Sequence, residues 1–188
     1  VHYKDSKKFF EFLYELIFKE DDKTKKFNLV SIYIRYSMSI LCATRDFKNS
    51  STIKNISFFM HTQMITEKSE SKLNGIRIIP LCETIEKIIK YYNQTCNDYG
   101  IYLDYISLYD NDKLVKFDKK IAFKIISSIT NDKFINDFIK YVPLNTGRHI
   151  INQYKIEKKL NPIYIETFLG HYISGAEQLG LYSPLHIP

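Results

Sequence analysis

The punctuation of two helices near the C-terminus constrains this chain more than any other feature. Residues 144–182 read LNTGRHIINQYKIEKKLNPIYIETFLGHYISGAEQLGLY. Asn145 or Thr146 can cap a helix over residues 147–160, along which Ile150, Ile151, Tyr154 and Ile156 recur at helical spacing. Tyr154 shares a face with Ile150 and Ile151 and is read as core. Asn161 can cap a second, short helix with Pro162 at its first position, and Gly170 sits where a left-handed stop is needed. Arg148 then falls in the first turn of one helix and His171 just past the end of the next. A first helical turn offers N–H groups without partners inside the helix, together with the positive end of the dipole. Both favour a phosphate.

Upstream, residues 6–19 carry Phe9, Phe12, Leu13, Leu16 and Ile17 on one helical stripe, and the charged stretch 20–26 breaks it. Residues 28–44 predict a core helix ending at Arg45. Residues 56–66, rich in Phe, Ile and Thr, read as a strand. Asn74-Gly75 is a turn signal, and residues 76–81 form the second strand of a β-hairpin. Residues 82–92 predict an amphipathic helix and 93–100 a loop, while 101–109 fit either a strand or a short helix. Two more helices are expected over 118–130 and 132–141, before Pro143. The expected class is mainly α with a small antiparallel sheet. Residues 1–26 are assigned to an N-terminal helix and linker, and 27–188 to the main domain.

Composition narrows the function only loosely. A chain of 188 residues with 45% hydrophobics can bury a full core, and a net charge of +6 favours a polyanionic partner. A basic protein with no particular site would look the same. Cys42, Cys82 and Cys96 form no CxxC pair, which argues against a zinc site or a disulfide framework and for a reducing, cytoplasmic setting. No apolar run reaches membrane-spanning length, and no signal peptide is visible. Because residue 1 is valine, the chain is expected to be a piece of a longer protein.

An arginine at a helix start, Leu-Gly-His after a short helix and then a tyrosine form a series. In this order the chain resembles the catalytic domain of the tyrosine recombinases, the phage-integrase type of site-specific DNA recombinase. The family pattern is a histidine, two residues, an arginine and often a second histidine, followed by Leu-Gly-His and the nucleophilic tyrosine. Here Asn145 stands in the first histidine's place, followed by Arg148, His149, Leu169-Gly170-His171 and Tyr182, the last spaced slightly further on than usual. The family's first catalytic arginine follows a core helix in a pattern like Thr-Gly-x-Arg. This chain has Cys42-Ala43-Thr44-Arg45, with Lys48 where an acidic residue is common. A lysine on the family's hairpin reaches the cut site; Lys72 has that place and Lys68 is its rival. Read without the resemblance, Arg45 is an arginine finishing a helix, and either lysine is solvated surface.

The resemblance implies the recombinase catalytic-domain fold, with double-stranded DNA as partner and no metal or other cofactor. It implies Tyr182 as nucleophile, catalytic roles for Arg45, Lys72, Asn145, Arg148 and His171, and DNA contacts from Lys68, Arg77 and His149. The family's separate N-terminal DNA-binding domain is expected outside this chain. The whole protein is expected to assemble as a tetramer on DNA. With only residues 183–188 beyond Tyr182, this stretch alone is expected to be a monomer. A second reading, motivated by Asn145, Lys48 and the position of Tyr182, is a recombinase-like DNA-binding protein with weakened or lost catalysis. A plain basic interaction module is a third. A relaxase is rejected, because His2, His61, His149, His171 and His186 do not stand at metal-ligand spacing.

The implied chemistry explains the residue types. A tyrosine hydroxyl that attacks phosphorus stores the phosphodiester bond as a protein link. Guanidinium forks bind the non-bridging oxygens bidentately and stay protonated, and such donors supply about 3 kcal/mol or more each to a transition state. The leaving 5′-oxygen needs a proton, which a lysine can give. Asparagine donates an amide N–H but cannot shuttle a proton as histidine does. None of these steps uses a metal, so strand cleavage is expected to run at the same rate in EDTA. Cleavage abolished by EDTA and restored by magnesium would point to a different mechanism.

Overall fold

The computed structural model describes residues 3–44, 53, 56–66, 76–101 and 105–161. In chain order it contains α1 (Tyr3–Lys19), α2 (Lys23–Leu41), β1 (Ile56–Ser57), β2 (Thr62–Thr66), β3 (Ile76–Pro80) and α3 (Glu83–Asp98). There follow β4 (Ser107–Asp110), β5 (Lys113–Lys116), α4 (Lys119–Ile129), α5 (Lys133–Tyr141) and α6 (Thr146–Glu157). The expected mainly helical class with a small antiparallel sheet is what is observed, with a second sheet added. β1-β2-β3 form one sheet and β4-β5 the other, all pairs antiparallel.

The organising element is α2. Every residue from Phe27 to Ile40 except Tyr33 is buried, so the helix has no solvent face and is covered by α1, α3, α4, α6 and β4. Its apolar residues drive that burial, at about 1.5–3 kcal/mol for each large side chain removed from water. Phe9 of α1 stacks on Phe138 of α5 with ring centroids 4.0 Å apart and lies 5.1 Å from Tyr36 of α2, joining three helices. At the other end Phe27 meets Tyr92 and Tyr99 from α3 and its C-cap, and Tyr109 from β4. Phe9, Leu13 and Ile17 belong to this same core, so α1 is an integral layer. The expected boundary at residues 26/27 falls inside α2.

Aspartate caps account for the starts of α2, α4 and α5. Asp22 accepts the Lys25 N–H at 2.8 Å, so the break after α1 closes by Lys23 and the charged stretch 20–26 is partly helical. Asp118 and Asp132 cap α4 and α5 in the same way. The helix expected over 82–92 runs on to Asp98, through the residues expected to be a loop. It stops at Gly100 (φ 66°), where the Ile101 N–H reaches Cys96 O at 2.8 Å and the Gly100 N–H reaches Asn97 O at 3.0 Å. That pair of bonds is a Schellman stop, with Ile101 buried beneath it.

Two strand expectations change. The single strand read over 56–66 is divided by a turn at residues 58–61, where His61 is left-handed (φ 50°) and its carbonyl accepts the Leu81 N–H at 2.7 Å. The ambiguous stretch 101–109 contributes strand β4, which pairs with β5 through the two-residue turn Asn111-Asp112. Both turn residues have positive φ, 49° and 58°, the geometry of a type I′ hairpin, where Asn-Gly is favoured. Asp112 therefore bears a cost that glycine would not. Asp112→Gly is expected to stabilise the fold by about 0.5 kcal/mol, read as a raised thermal midpoint. A lowered midpoint would show that the Asp112 side chain contributes more than its backbone strain costs.

Candidate functional site

Of the residues singled out in the sequence, the structure describes Asn145, Arg148 and His149 in full, and Arg77 by its backbone in β3, paired with Ile65. Arg45, Lys68, Lys72, His171 and Tyr182 lie outside the described residues, as do the Asn74-Gly75 turn and the short helix after Asn161. Lys68 and Lys72 fall in the connection between the paired strands β2 and β3, which begins after Thr66 and ends before Ile76.

Asn145 is the N-cap of α6, but its side chain makes no capping hydrogen bond. Its carbonyl accepts the Arg148 N–H at 3.1 Å. The side chains then divide. Asn145 and His149 are exposed, whereas Arg148, one helical step before His149, is buried. It points to the exit of α2, where its Nη1–H donates to Ala43 O at 3.1 Å across 105 positions of sequence. The structure therefore brings Arg148 against the segment that leads into Arg45.

Gly147 makes that approach possible. A β-carbon there would fall on the carbonyl oxygen of Ser39 and 2.5 Å from Ile40 Cα, far inside any real carbon–carbon contact. Ser39 Oγ donates to Leu144 O in the turn just ahead of α6. The first turn of α6 is thus seated on the last turn of α2 by a backbone contact that only glycine allows. In the sequence Gly147 was read only as the start of a helical run; a glycine in the first turn of a helix was the available signal.

The exit of α2 differs from its expected course. The helix was expected through Thr44, ending at Arg45, but it stops at Leu41. Cys42 is the C-cap, its N–H bonded to Met38 O at 3.1 Å, and Ala43 takes the left-handed conformation (φ 51°). Alanine favours helix and avoids this conformation, so nothing local announces the stop. Tertiary bonds hold it: Arg148 takes the Ala43 carbonyl, and the buried Arg35 donates from Nη1 to Thr44 Oγ1 at 3.3 Å. Arg35 was not singled out in the sequence, although it is the one charged residue between Asn28 and Leu41. A charge within a fully buried helix is itself a signal.

The described tyrosines can be weighed as nucleophiles. Burial raises the hydroxyl pKa of Tyr33, Tyr91, Tyr92 and Tyr99, Tyr92 most, which disfavours phenolate at all four. Tyr154 corrects the expectation that it is core. It is 46% exposed, with Lys158 Nζ 5.7 Å from its ring centroid. From Arg148 it lies about 9 Å along the helix and about 240° round it, so it does not face a group held at the first turn. Among the described residues no three His, Cys, Asp or Glu side chains are grouped to hold a metal ion, and no helix is long and apolar enough to cross a membrane. None of Cys42, Cys82 and Cys96 is in a disulfide.

Set against protein-family models, curated proteins and solved structures, the chain finds no match in any of the three comparisons. Gly147→Ala tests the geometry described above. The added methyl must push α6 off α2, a cost of about 1–3 kcal/mol, and the melting temperature is expected to fall by about 2–4 °C per kcal/mol. A melting temperature equal to that of the unsubstituted protein would show that the two helices do not meet at this point.

Proposed function

We propose that this chain is the catalytic region of a tyrosine recombinase with the fold of that family, a DNA strand transferase that cuts and rejoins double-stranded DNA through a 3′-phosphotyrosine link. The observation that carries the reading is the buried Arg148 in the first turn of α6, bonded at 3.1 Å to the carbonyl of Ala43, two residues ahead of Arg45. Two arginines far apart in sequence are what a pentavalent phosphate requires, and this contact ties one to the segment leading into the other. The φ of 51° at Ala43 adds independent support. The pattern Thr-Gly-x-Arg sets its glycine against this residue, and a left-handed backbone is where glycine is favoured. The antiparallel β2–β3 pair, with Lys68 and Lys72 in its connection, supports a hairpin-borne proton donor.

In this reading the Tyr182 hydroxyl attacks the scissile phosphorus. The bond to the 5′-oxygen breaks, Lys72, or Lys68 in its place, gives that oxygen its proton, and the proton of the tyrosine hydroxyl is released to solvent. Arg45 and Arg148 neutralise the non-bridging oxygens while His171 donates to one of them. Rejoining is the reverse: a 5′-hydroxyl attacks the phosphotyrosine and expels Tyr182. Arg77 and His149 contact the duplex beside the site, and four copies of the whole protein assemble on two duplexes. A DNA-binding protein with weakened catalysis is the second reading. Asn145 favours it: the side chain is exposed, serves no cap, and cannot relay a proton.

A duplex nicked close to the cut traps the covalent adduct and separates the two readings. The full-length protein on its own junction sequence is expected to form a protein–DNA adduct that disappears in Tyr182→Phe and forms about a hundredfold more slowly, or worse, in Arg148→Lys. An adduct that survives Tyr182→Phe moves the nucleophile to another residue. No adduct from the unsubstituted protein, with duplex binding intact, establishes the non-catalytic reading.

A further inference from the structure

We infer that Arg35 is a positioning residue for Arg45, acting through Thr44; the inference rests on the recombinase reading and deepens it. Arg35 lies in the middle of α2, and its side chain and Thr44 are both fully enclosed. After α2 ends at Leu41, Cys42 caps it and Ala43 turns left-handed. Thr44 Oγ1 thereby comes to 3.3 Å from Arg35 Nη1, nine positions upstream.

Two guanidinium groups therefore grip consecutive residues. Arg148 holds the carbonyl of Ala43 and Arg35 holds the hydroxyl of Thr44. The next residue in the chain is Arg45. A peptide segment held at a carbonyl and at the neighbouring side chain has little freedom left, so the backbone at Ala43 and Thr44, immediately ahead of Arg45 in the sequence, is fixed from the core. Burial strengthens the restraint, because no water competes for either bond in the interior. A carbonyl and a hydroxyl give positional control without titrating near neutral pH. Apolar packing would hold the segment less directionally, since a hydrogen bond weakens steeply off axis.

Arg35 acts at one remove and does not touch DNA, so its effect must appear in the chemical step and leave duplex affinity alone. Thr44→Val removes the acceptor while keeping the shape, and Thr44→Ser restores it. On the nicked duplex, Thr44→Val is expected to slow adduct formation about tenfold or more with duplex affinity within about twofold of the parent, and Thr44→Ser to recover most of the rate. All variants are compared below their own melting temperatures, so that only folded protein is scored. Adduct formed by Thr44→Val at the parental rate, with its melting temperature alone lowered, overturns the positioning role and leaves the recombinase reading standing. Absence of adduct from the unsubstituted protein overturns that reading and this inference together.

Discussion

A helix buried on all sides must find a partner for each polar group it carries, and this requirement at α2 shapes the rest of the molecule. Asn28 exchanges two hydrogen bonds with the backbone of Tyr109, donating to its carbonyl at 3.0 Å and accepting its N–H at 2.7 Å, which docks β4. Tyr36 reaches the carbonyl of Ile139 in α5. Arg35 takes Thr44, and Ser39 takes Leu144 ahead of α6. The apolar residues of α2 make burial favourable without choosing among neighbours. Its polar residues choose, because a buried donor left without an acceptor costs about 1–3 kcal/mol. Asn28, Arg35, Tyr36 and Ser39 therefore each select one neighbouring segment.

The candidate site is a consequence of that arrangement. Arg148 could serve a phosphate only if its helix starts close to the α2 exit, and Gly147 allows that by bringing two backbones into contact. The strain at Ala43 belongs to the same place. A left-handed alanine with no glycine to relieve it persists where surrounding bonds over-determine the backbone, and strained residues of this kind concentrate at functional sites. Strain, buried guanidinium groups and a close helix contact coincide within residues 35–44 and 144–148. That coincidence directs the functional proposal to the junction of α2 and α6 and away from the outer faces of α3, α4 and α5.

Local signals in the sequence were strong enough to place α1, α4 and α5, because an apolar stripe defines an amphipathic helix and, at α4 and α5, a preceding Asp marks its start. They were also enough for the β2–β3 pair, whose strands flank a turn signal. Gly100 was readable as the stop of α3, but the helix was ended earlier, at a polar stretch that forms its last turns and buries Thr95 and Cys96. The Asn111-Asp112 hairpin was missed for want of glycine. Tyr154 was assigned to the core because its neighbours on α6 are apolar, yet α6 buries only its first turns against α2.

By itself, then, the sequence determined where helices and the first hairpin can form and which side chains could make a phosphate site, since both depend on residues near one another in the chain. Only the tertiary structure decided where α2 ends, how closely α6 approaches it and which way Arg148 points. Those outcomes rest on bonds between residues 105 positions apart, Ala43 with Arg148 and Ser39 with Leu144. An alanine followed by a threonine carries no local instruction to leave a helix. The instruction comes from two arginines that meet this segment only once the core has assembled around α2.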